Sequence, residues 1–159
     1  MSNVYFSTLI LFSALGSGLI AGIFFAFSTF VMAALARLAP AQGMAAMQAI
    51  NETVLNPWFF TAFFGTAAGC IIVVIVAYLN GGETTGYYLV AGSLFYLVGC
   101  FLVTVLFNVP LNNALAAVKP DSVKGAELWS GYLSRWTLWN HVRTIASLMA
   151  MAFFILALR

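Results

Sequence analysis

Four long apolar stretches, separated by polar connections, constrain this chain more than any other feature. They run approximately over residues 4–35, 58–79, 87–107 and 138–158. A helix needs about 20 apolar residues to cross the roughly 30 Å hydrocarbon core of a bilayer, and each stretch meets that length. Because a segment in lipid must satisfy its backbone hydrogen bonds internally, we predict an all-α bundle of four transmembrane helices. The lipid bilayer is its first expected partner.

Composition supports this class. Hydrophobic residues make up 64% of the 159 residues and charged residues only 6%, against roughly 25% charged in soluble domains. Once the four stretches are subtracted, too little chain remains for a soluble domain, so we predict a single integral membrane domain over residues 1–159. The net charge of +2 is too small to indicate a nucleic-acid partner.

The connections differ in character. Residues 80–86 read Asn-Gly-Gly-Glu-Thr-Thr-Gly and predict a short turn between the second and third spans. Residues 41–55 and 121–133 instead show helical spacing of apolar side chains. Those side chains are Met44, Met47 and Val54 in the first segment and Val123, Ala126, Trp129 and Leu133 in the second. We therefore predict two short amphipathic connecting helices on one side, lying against the membrane surface or capping the bundle.

Basic and aromatic residues predict the orientation. The long connections are flanked by Arg37, Lys119, Lys124 and Arg135, whereas the other side has only Arg159. Basic residues favour the cytoplasmic side, so we predict a multi-pass protein of the cytoplasmic membrane with both termini outside. Aromatic side chains predict two interfacial belts. One contains Trp58, Trp129, Trp136 and Trp139, and the other Tyr5, Tyr78, Tyr87 and Tyr88.

Small residues recur at helical spacing in the first two spans. They are Ala14, Gly18, Gly22 and Ala26 in the first and Gly65 and Gly69 in the second. Small side chains four residues apart let helices approach closely in lipid, so we interpret them as packing positions. The glycine-rich first span also provides a possible surface for a homo-oligomer or for another membrane protein.

Polar residues gather at one end of the four spans. They are Asn51, Glu52, Asn56, Asn108, Asn112, Asn113, Asn140, His141 and Arg143. Most belong to three helical stripes. The stripes are Gln48, Glu52 and Asn56; Thr104, Asn108 and Asn112; and Trp136, Asn140, Arg143 and Ser147. Polar groups at one membrane depth in so apolar a chain suggest a functional site.

Two interpretations of these stripes stay open. In the first, the polar side chains hold the helices together, and Glu52 pairs with Arg143 because neither charge is stable alone in lipid. In the second, they line a pocket with a polar mouth. Pro57 and Pro110 lie beside two stripes, and each proline frees a backbone carbonyl one turn earlier that a side chain or a wet cavity must satisfy.

Residue counts and motifs argue against a metal site, a cysteine redox pair, and nucleotide-dependent or standard hydrolytic chemistry. His141 is the only histidine, and no paired cysteine or histidine motif is present, so we predict no metal site. Cys70 and Cys100 lie deep in spans two and three and are expected to behave as small hydrophobic residues rather than as a disulfide. Phosphate-binding loops and serine nucleophile motifs are absent, and the residues predict no particular cofactor, so a bound cofactor stays unknown.

Four segments carry a resemblance to a known family. They read GLIAGIFFAFS over residues 18–28, MQAIN over 47–51, NVPLN over 108–112 and WTLWNHVR over 136–143. In this combination and order, the chain resembles the four-helix membrane proteins related to anthrone oxygenase over nearly its whole length. The resemblance implies an oxidoreductase that oxidises a hydrophobic phenolic or quinol-type aromatic, such as a tricyclic anthrone, with molecular oxygen as co-substrate.

That chemistry needs a base, groups that hold a developing oxyanion, and an apolar chamber. His141 is our first choice of base and Glu52 the second. The expected substrate-binding residues are Asn56, Asn108, Asn112, Trp136, Asn140 and Arg143. His141 lies about 100° around the helix from the Asn140 stripe, so an interfacial histidine facing headgroups is an open alternative.

Two non-catalytic functions also stay open. The same pocket could bind or transport a small lipophilic molecule, although the chain lacks the several intramembrane carboxylates of a proton-coupled carrier. Alternatively, the chain is a scaffold whose first span, at Gly18 and Gly22, pairs with a partner membrane protein.

Overall fold

The computed structural model describes residues 3–79 and 84–159, and the regular structure in those residues is helical. The five helices are α1 (Val4–Ala36), α2 (Pro40–Thr53), α3 (Pro57–Leu79), α4 (Gly86–Ala116) and α5 (Val123–Ala157). All except α2 are long and apolar enough to cross a membrane. This confirms the predicted four-span bundle and is consistent with an integral membrane protein. The predicted turn at 80–86 falls mainly on residues 80–83, which lie outside the described residues.

The four long helices pack in a ring. Helix α1 contacts α3 and α5, and α4 contacts the same two helices from the other side. Apolar side chains fill the centre. Cys70 and Cys100 are buried there as free thiols, as expected. Two hydroxyl groups in this core donate to backbone carbonyls: Tyr96 Oη to Phe63 O at 3.0 Å and Ser93 Oγ to Cys70 O at 3.1 Å.

A second core lies at the end of the bundle that carries the long connections. It consists of Met32, Leu35, Met44, Met47, Leu115, Trp129, Tyr132 and Trp136. Met44 and Met47, predicted to form the apolar side of the first connecting helix, are both fully buried. Helix α2 therefore caps the bundle, one of the two placements that its sequence pattern allowed.

The second connecting segment is helical, but it is not a separate helix. Val123–Ala157 forms one helix of 35 residues, about 52 Å long at 1.5 Å per residue. Its N-terminus is capped by Ser122, whose Oγ accepts the Gly125 N–H at 3.0 Å. The segment contains no proline, so nothing interrupts the helix before the predicted start at residue 138. Of the side chains on its predicted apolar side, Trp129 is buried, whereas Val123 is exposed.

Helix α4 also continues beyond its predicted end at Phe107, through Pro110 to Ala116. A proline ring clashes with the carbonyl four residues earlier and removes one hydrogen-bond donor. Here the helix widens into π-helical turns over Phe95–Leu102 and Thr104–Asn108, and Pro110 lies in the first turn of the α-helical segment that follows. Wider turns accommodate the proline without ending the helix.

The aromatic belts are confirmed only in part. Trp58 is 87% exposed and marks one interface. Exposed tyrosines mark the opposite ends of the helices: Tyr5, Tyr78, Tyr87 and Tyr88. Trp129 and Trp136 were predicted to belong to the belt, but both are buried. The prediction was wrong for these two because α2 covers the side of α5 that carries them.

The glycines differ in how much space surrounds them: some lie against a neighbouring helix, and others have open space where a side chain would be. A methyl group at Gly99 would lie 2.6 Å from the Cβ of Ala146, so α4 and α5 touch there. At Gly22 and Gly65 no atom lies within 4 Å of the same position. At Gly69, in contrast, an added methyl group would lie 2.9 Å from the Ser13 hydroxyl oxygen. The sequence pattern found Gly69 but not Gly99, because spacing along one helix does not show which side faces a neighbour.

We predict that Gly99→Ala lowers the free energy of unfolding by about 1–3 kcal/mol, because the methyl group must push α4 away from α5. Gly22→Ala is the matched control, and helix propensity should make it neutral or more stable by up to about 1 kcal/mol. Thermal unfolding of both variants in detergent, followed by circular dichroism, tests this. Equal melting temperatures for the two variants would contradict the prediction.

Candidate functional site

Arg143 is the centre of the polar site. It projects from α5 into the bundle and is only 4% exposed. Its Nη2 donates to Asn140 Oδ1 at 2.8 Å and its Nη1 to Thr104 Oγ1 at 3.3 Å. The guanidinium carbon lies 4.0 Å from the ring centre of Phe24 and 5.1 Å from that of Trp136. Hydrogen bonds and aromatic faces therefore surround the charge.

The predicted ion pair between Glu52 and Arg143 does not form. Glu52 is exposed on α2, and the hydrogen bonds of Arg143 go to neutral groups. Helical spacing correctly placed Glu52 at the same end of the molecule as Arg143. However, α2 directs the Glu52 side chain away from the bundle. Within the described part of the chain, no carboxylate neutralises Arg143. The Nε atom of Arg143 is buried without a hydrogen-bond partner.

Asn140 connects Arg143 to α1. Its Nδ2 donates to Phe24 O and to Ser28 Oγ, both at 2.7 Å. The hydroxyls of Ser28 and Thr144 are 3.1 Å apart. Because Asn140 is fully buried and uses both ends of its amide, its orientation is determined by these bonds. We call Arg143, Asn140, Thr104, Ser28 and Thr144 the Arg143 cluster.

Two partners in this cluster come from π-helical turns. Ser28 lies in the π-helical segment Phe27–Val31 of α1, and Thr104 lies in Thr104–Asn108 of α4. Wide turns shift the side-chain direction relative to a regular α-helix, and they occur frequently at functional sites. The two irregular segments thus face the same buried cation from two sides of the bundle.

Asn112 organises a second set of bonds next to the cluster. Its Oδ1 accepts the Trp136 Nε1–H at 2.8 Å and the Tyr132 hydroxyl at 2.9 Å. Asn51 Nδ2 in turn donates to the Tyr132 Oη at 3.5 Å. Asn108 Nδ2 donates to the Trp136 carbonyl at 3.2 Å. These bonds position the Trp136 ring against Arg143.

The first predicted stripe does not join the cluster. Gln48 donates to two carbonyls at the end of α4 and so attaches the cap to the bundle. Asn56 caps α3: its Nδ2 donates to Thr53 O at 2.9 Å, and its Oδ1 accepts the Phe59 N–H at 3.1 Å. The Thr53 carbonyl is the one that Pro57 was expected to free. Asn56 thus has a capping function, and the structure shows no bond from it to the cluster.

His141 lies on a different face of α5. It is exposed and lines an open groove of about 580 Å³ between α1 and α5. Other lining residues are Ser28, Ala33, Ser134, Thr137 and Leu138. We call this the α1/α5 groove. The angular offset of His141 from Asn140 predicted this separation, and Ser28 belongs to both the groove and the Arg143 cluster.

Among the residues that the structure describes, several buried polar atoms have no hydrogen-bond partner. They are Ser17 Oγ, Asn108 Oδ1, Arg143 Nε and Ser147 Oγ, all buried. Buried polar atoms are normally hydrogen-bonded, so unpaired ones indicate places where a water molecule or a ligand binds. In residues 3–79 and 84–159, no group of three or more His, Cys, Asp or Glu side chains comes together.

Sequence reasoning missed four contributors to the site, Phe24, Ser28, Tyr132 and Thr144. Tyr132 had a usable signal, because it lies four residues before Trp136 and extends the stripe of α5 backward. Phe24 contributes its ring and its backbone carbonyl, and a carbonyl leaves no sequence signal. Ser28 also left no sequence signal for this contact, since a single hydroxyl in an apolar span does not reveal its partner.

Comparison with known proteins gives one match. The family model described as anthrone oxygenase matches residues 57–153, which is more than half of the chain. The matched range includes α3, α4 and most of α5, and with them Thr104, Asn140 and Arg143. No curated protein and no solved structure matches the chain.

We predict that Asn112→Ala destabilises the protein by about 2 kcal/mol or more, because the Tyr132 hydroxyl and the Trp136 N–H lose their shared acceptor. Asn113→Ala removes the same group from the neighbouring exposed position and should stay within about 0.5 kcal/mol of wild type. Thermal unfolding in one detergent compares the two. A melting temperature unchanged in Asn112→Ala would show that the buried donors find other partners.

Proposed function

This chain belongs to the anthrone oxygenase family, and we propose from that premise that it oxidises a planar, hydrophobic phenol or anthrone with molecular oxygen. The observation that carries the proposal is the buried Arg143 guanidinium, whose hydrogen-bonded neighbours are all uncharged. Burying a cation costs several kcal/mol unless an anion or strong acceptors compensate for it. An anionic form of the substrate would supply the missing charge.

The proposed reaction converts the methylene carbon of an anthrone into the second carbonyl group of a quinone. That carbon loses two hydrogen atoms and gains one oxygen atom of O2, and the other oxygen atom leaves as water. Removal of the first proton produces an electron-rich enolate, which donates an electron to O2 more readily than the neutral ketone does. The protein therefore has to favour the enolate, and a fixed positive charge in a low-dielectric site does so.

The bonds around Arg143 suit this function. Asn140 and Thr104 orient the guanidinium, and Phe24 and Trp136 cover it from water. A charge oriented before the reaction stabilises developing negative charge without first reorganising. We propose that Arg143 supplies this charge, with Asn140 and Trp136 as the residues that hold it in place.

For the proton acceptor we propose His141. Its imidazole is exposed in the α1/α5 groove, where a substrate can reach it, and Ser28 connects that groove to Asn140. Glu52, our other candidate from the sequence, is exposed on α2 and forms no hydrogen bond with the Arg143 cluster. The geometry thus favours His141 over Glu52 as the base.

Arg143→Met should slow the oxidation of a dihydroxyanthrone by about 100-fold or more, because it removes the fixed positive charge that favours the enolate. Arg143→Lys should recover part of the rate, since the ammonium retains the charge but not the planar geometry. Arg135→Met, an exposed arginine of the same helix, is the matched control and should leave the rate unchanged. Formation of the quinone is followed by absorbance in detergent under oxygen, with the protein-free rate subtracted.

Equal rates for wild type, Arg143→Met and Arg135→Met would overturn the catalytic proposal. If the anthrone bound to wild type but was not oxidised, the same site would instead serve binding of a lipophilic anion. Binding is measured separately by the quenching of tryptophan fluorescence, because Trp136 lies next to Arg143.

The choice of base is tested by a second pair of variants. We predict that His141→Gln lowers the rate about 100-fold, the usual contribution of a general base, while Glu52→Gln has less than a twofold effect. Both substitutions keep the size of the side chain close to the original. The opposite result would assign the proton transfer to Glu52 and would place the substrate at the cap rather than at the groove.

A further inference from the structure

The outer end of the α1/α5 groove lies beside two exposed arginines. On α1 its outermost lining residue, Ala36, is followed by the exposed Arg37, and on α5 the lining residue Ser134 is followed by the exposed Arg135. Because arginines favour the membrane interface, these two indicate that the outer end of the groove lies at headgroup level. From there the groove extends inward to Ser28 and His141, about two turns along each helix. It is therefore open where an amphipathic molecule in the bilayer would reach it.

The lining of the groove combines two kinds of surface. Polar groups come from the His141 imidazole and from the hydroxyls of Ser28, Ser134 and Thr137, while Ala33 contributes an apolar wall. Its volume of about 580 Å³ lies within the roughly 300–1,000 Å³ of small-molecule sites. A flat aromatic ring system with hydroxyl or carbonyl groups at its edge matches both the size and the mixed polarity.

The Arg143 cluster itself is closed. Asn140 is 0% exposed, Asn108 1% and Arg143 4%, so a tricyclic molecule cannot reach the guanidinium without displacing packed helices. The unpaired atoms Asn108 Oδ1 and Arg143 Nε suit water molecules better than a ring system. Ser28 is the residue that the cluster and the groove share, and it accepts a hydrogen bond from Asn140 Nδ2 at 2.7 Å.

We infer that the α1/α5 groove is the docking site for the planar hydroxyaromatic substrate, with Ser28 as its floor and the Arg143 cluster behind it. The inference rests on the proposed function and names where its substrate binds. A ring in the groove lies against His141, which can take its proton. The resulting anion then lies on the side of Ser28 opposite Asn140, where the buried charge of Arg143 attracts it without direct contact.

Because His141 is the only histidine of the chain, chemical modification reports on this groove alone. Tag-free protein in lipid nanodiscs is treated with diethyl pyrocarbonate, and modification of the His141 peptide is followed by mass spectrometry. The probe is a dihydroxyanthraquinone, which resembles the product and is not oxidised further. At a concentration about ten times its Kd, the probe should slow modification about tenfold, since only unoccupied protein reacts.

A matched pair of variants locates the probe. Ala33 lines the groove, whereas its neighbour Ala34 is exposed and does not. We predict that Ala33→Phe abolishes protection of His141 by filling the groove, and that Ala34→Phe retains it. Both positions are exposed, so neither substitution should disturb the core, and equal melting temperatures will verify that.

Unprotected His141 in wild type, or protection that persists in Ala33→Phe, would overturn the docking site. Either result would leave the proposed oxidation intact if the rate still depended on Arg143. Conversely, protection that is lost only in Ala33→Phe, in a protein that oxidises no anthrone, would support the docking site and refute the proposed reaction. The two proposals therefore fail independently.

Discussion

The burial of one guanidinium group among uncharged neighbours is the interaction on which the rest of this structure depends. Arg143 lies in the apolar part of α5, and a cation there is stable only if strong acceptors or aromatic faces replace its water. The bundle supplies these from three helices: Phe24 from α1, Thr104 from α4 and Asn140 from α5 itself. Misplacing any of these helices would expose the charge to lipid, so the site and the packing of the bundle depend on each other.

Irregular helix geometry accompanies this arrangement. The π-helical turns of α1 and α4 occur where Ser28 and Thr104 join the Arg143 cluster, and in α4 they also accommodate Pro110. Wider turns are less favourable than regular α-helix, so their retention at two neighbouring positions indicates that the side-chain directions they produce matter. The cap formed by α2 also helps to position the groups around Arg143. It covers Trp136, and the Trp136 ring lies against the guanidinium.

On our proposal, the chemistry of this member of the anthrone oxygenase family is divided between two faces of α5. Asn140 and His141 are consecutive residues, yet one points into the bundle and the other into the α1/α5 groove. The inward face provides a permanent charge that water does not screen, and the outward face provides a proton acceptor that the substrate can reach. Such a division lets a small membrane protein act on a hydrophobic aromatic without opening its core.

The length of the apolar runs was enough to predict the four spans, and the period of a helix was enough to place Asn140 beside Arg143. The sequence predicted that α2 is helical but left open whether it caps the bundle or lies on the membrane surface. Only the tertiary structure decided which groups meet across helices. Charge balance predicted Glu52 as the partner of Arg143, yet the actual partners include a phenyl ring and a hydroxyl. Phenyl rings and hydroxyls occur in every span, so the sequence around each one does not show which of them contact Arg143. Their selection depends on helix rotation, on π-helical turns and on how α2 folds back, which are properties of packing and not of any single segment.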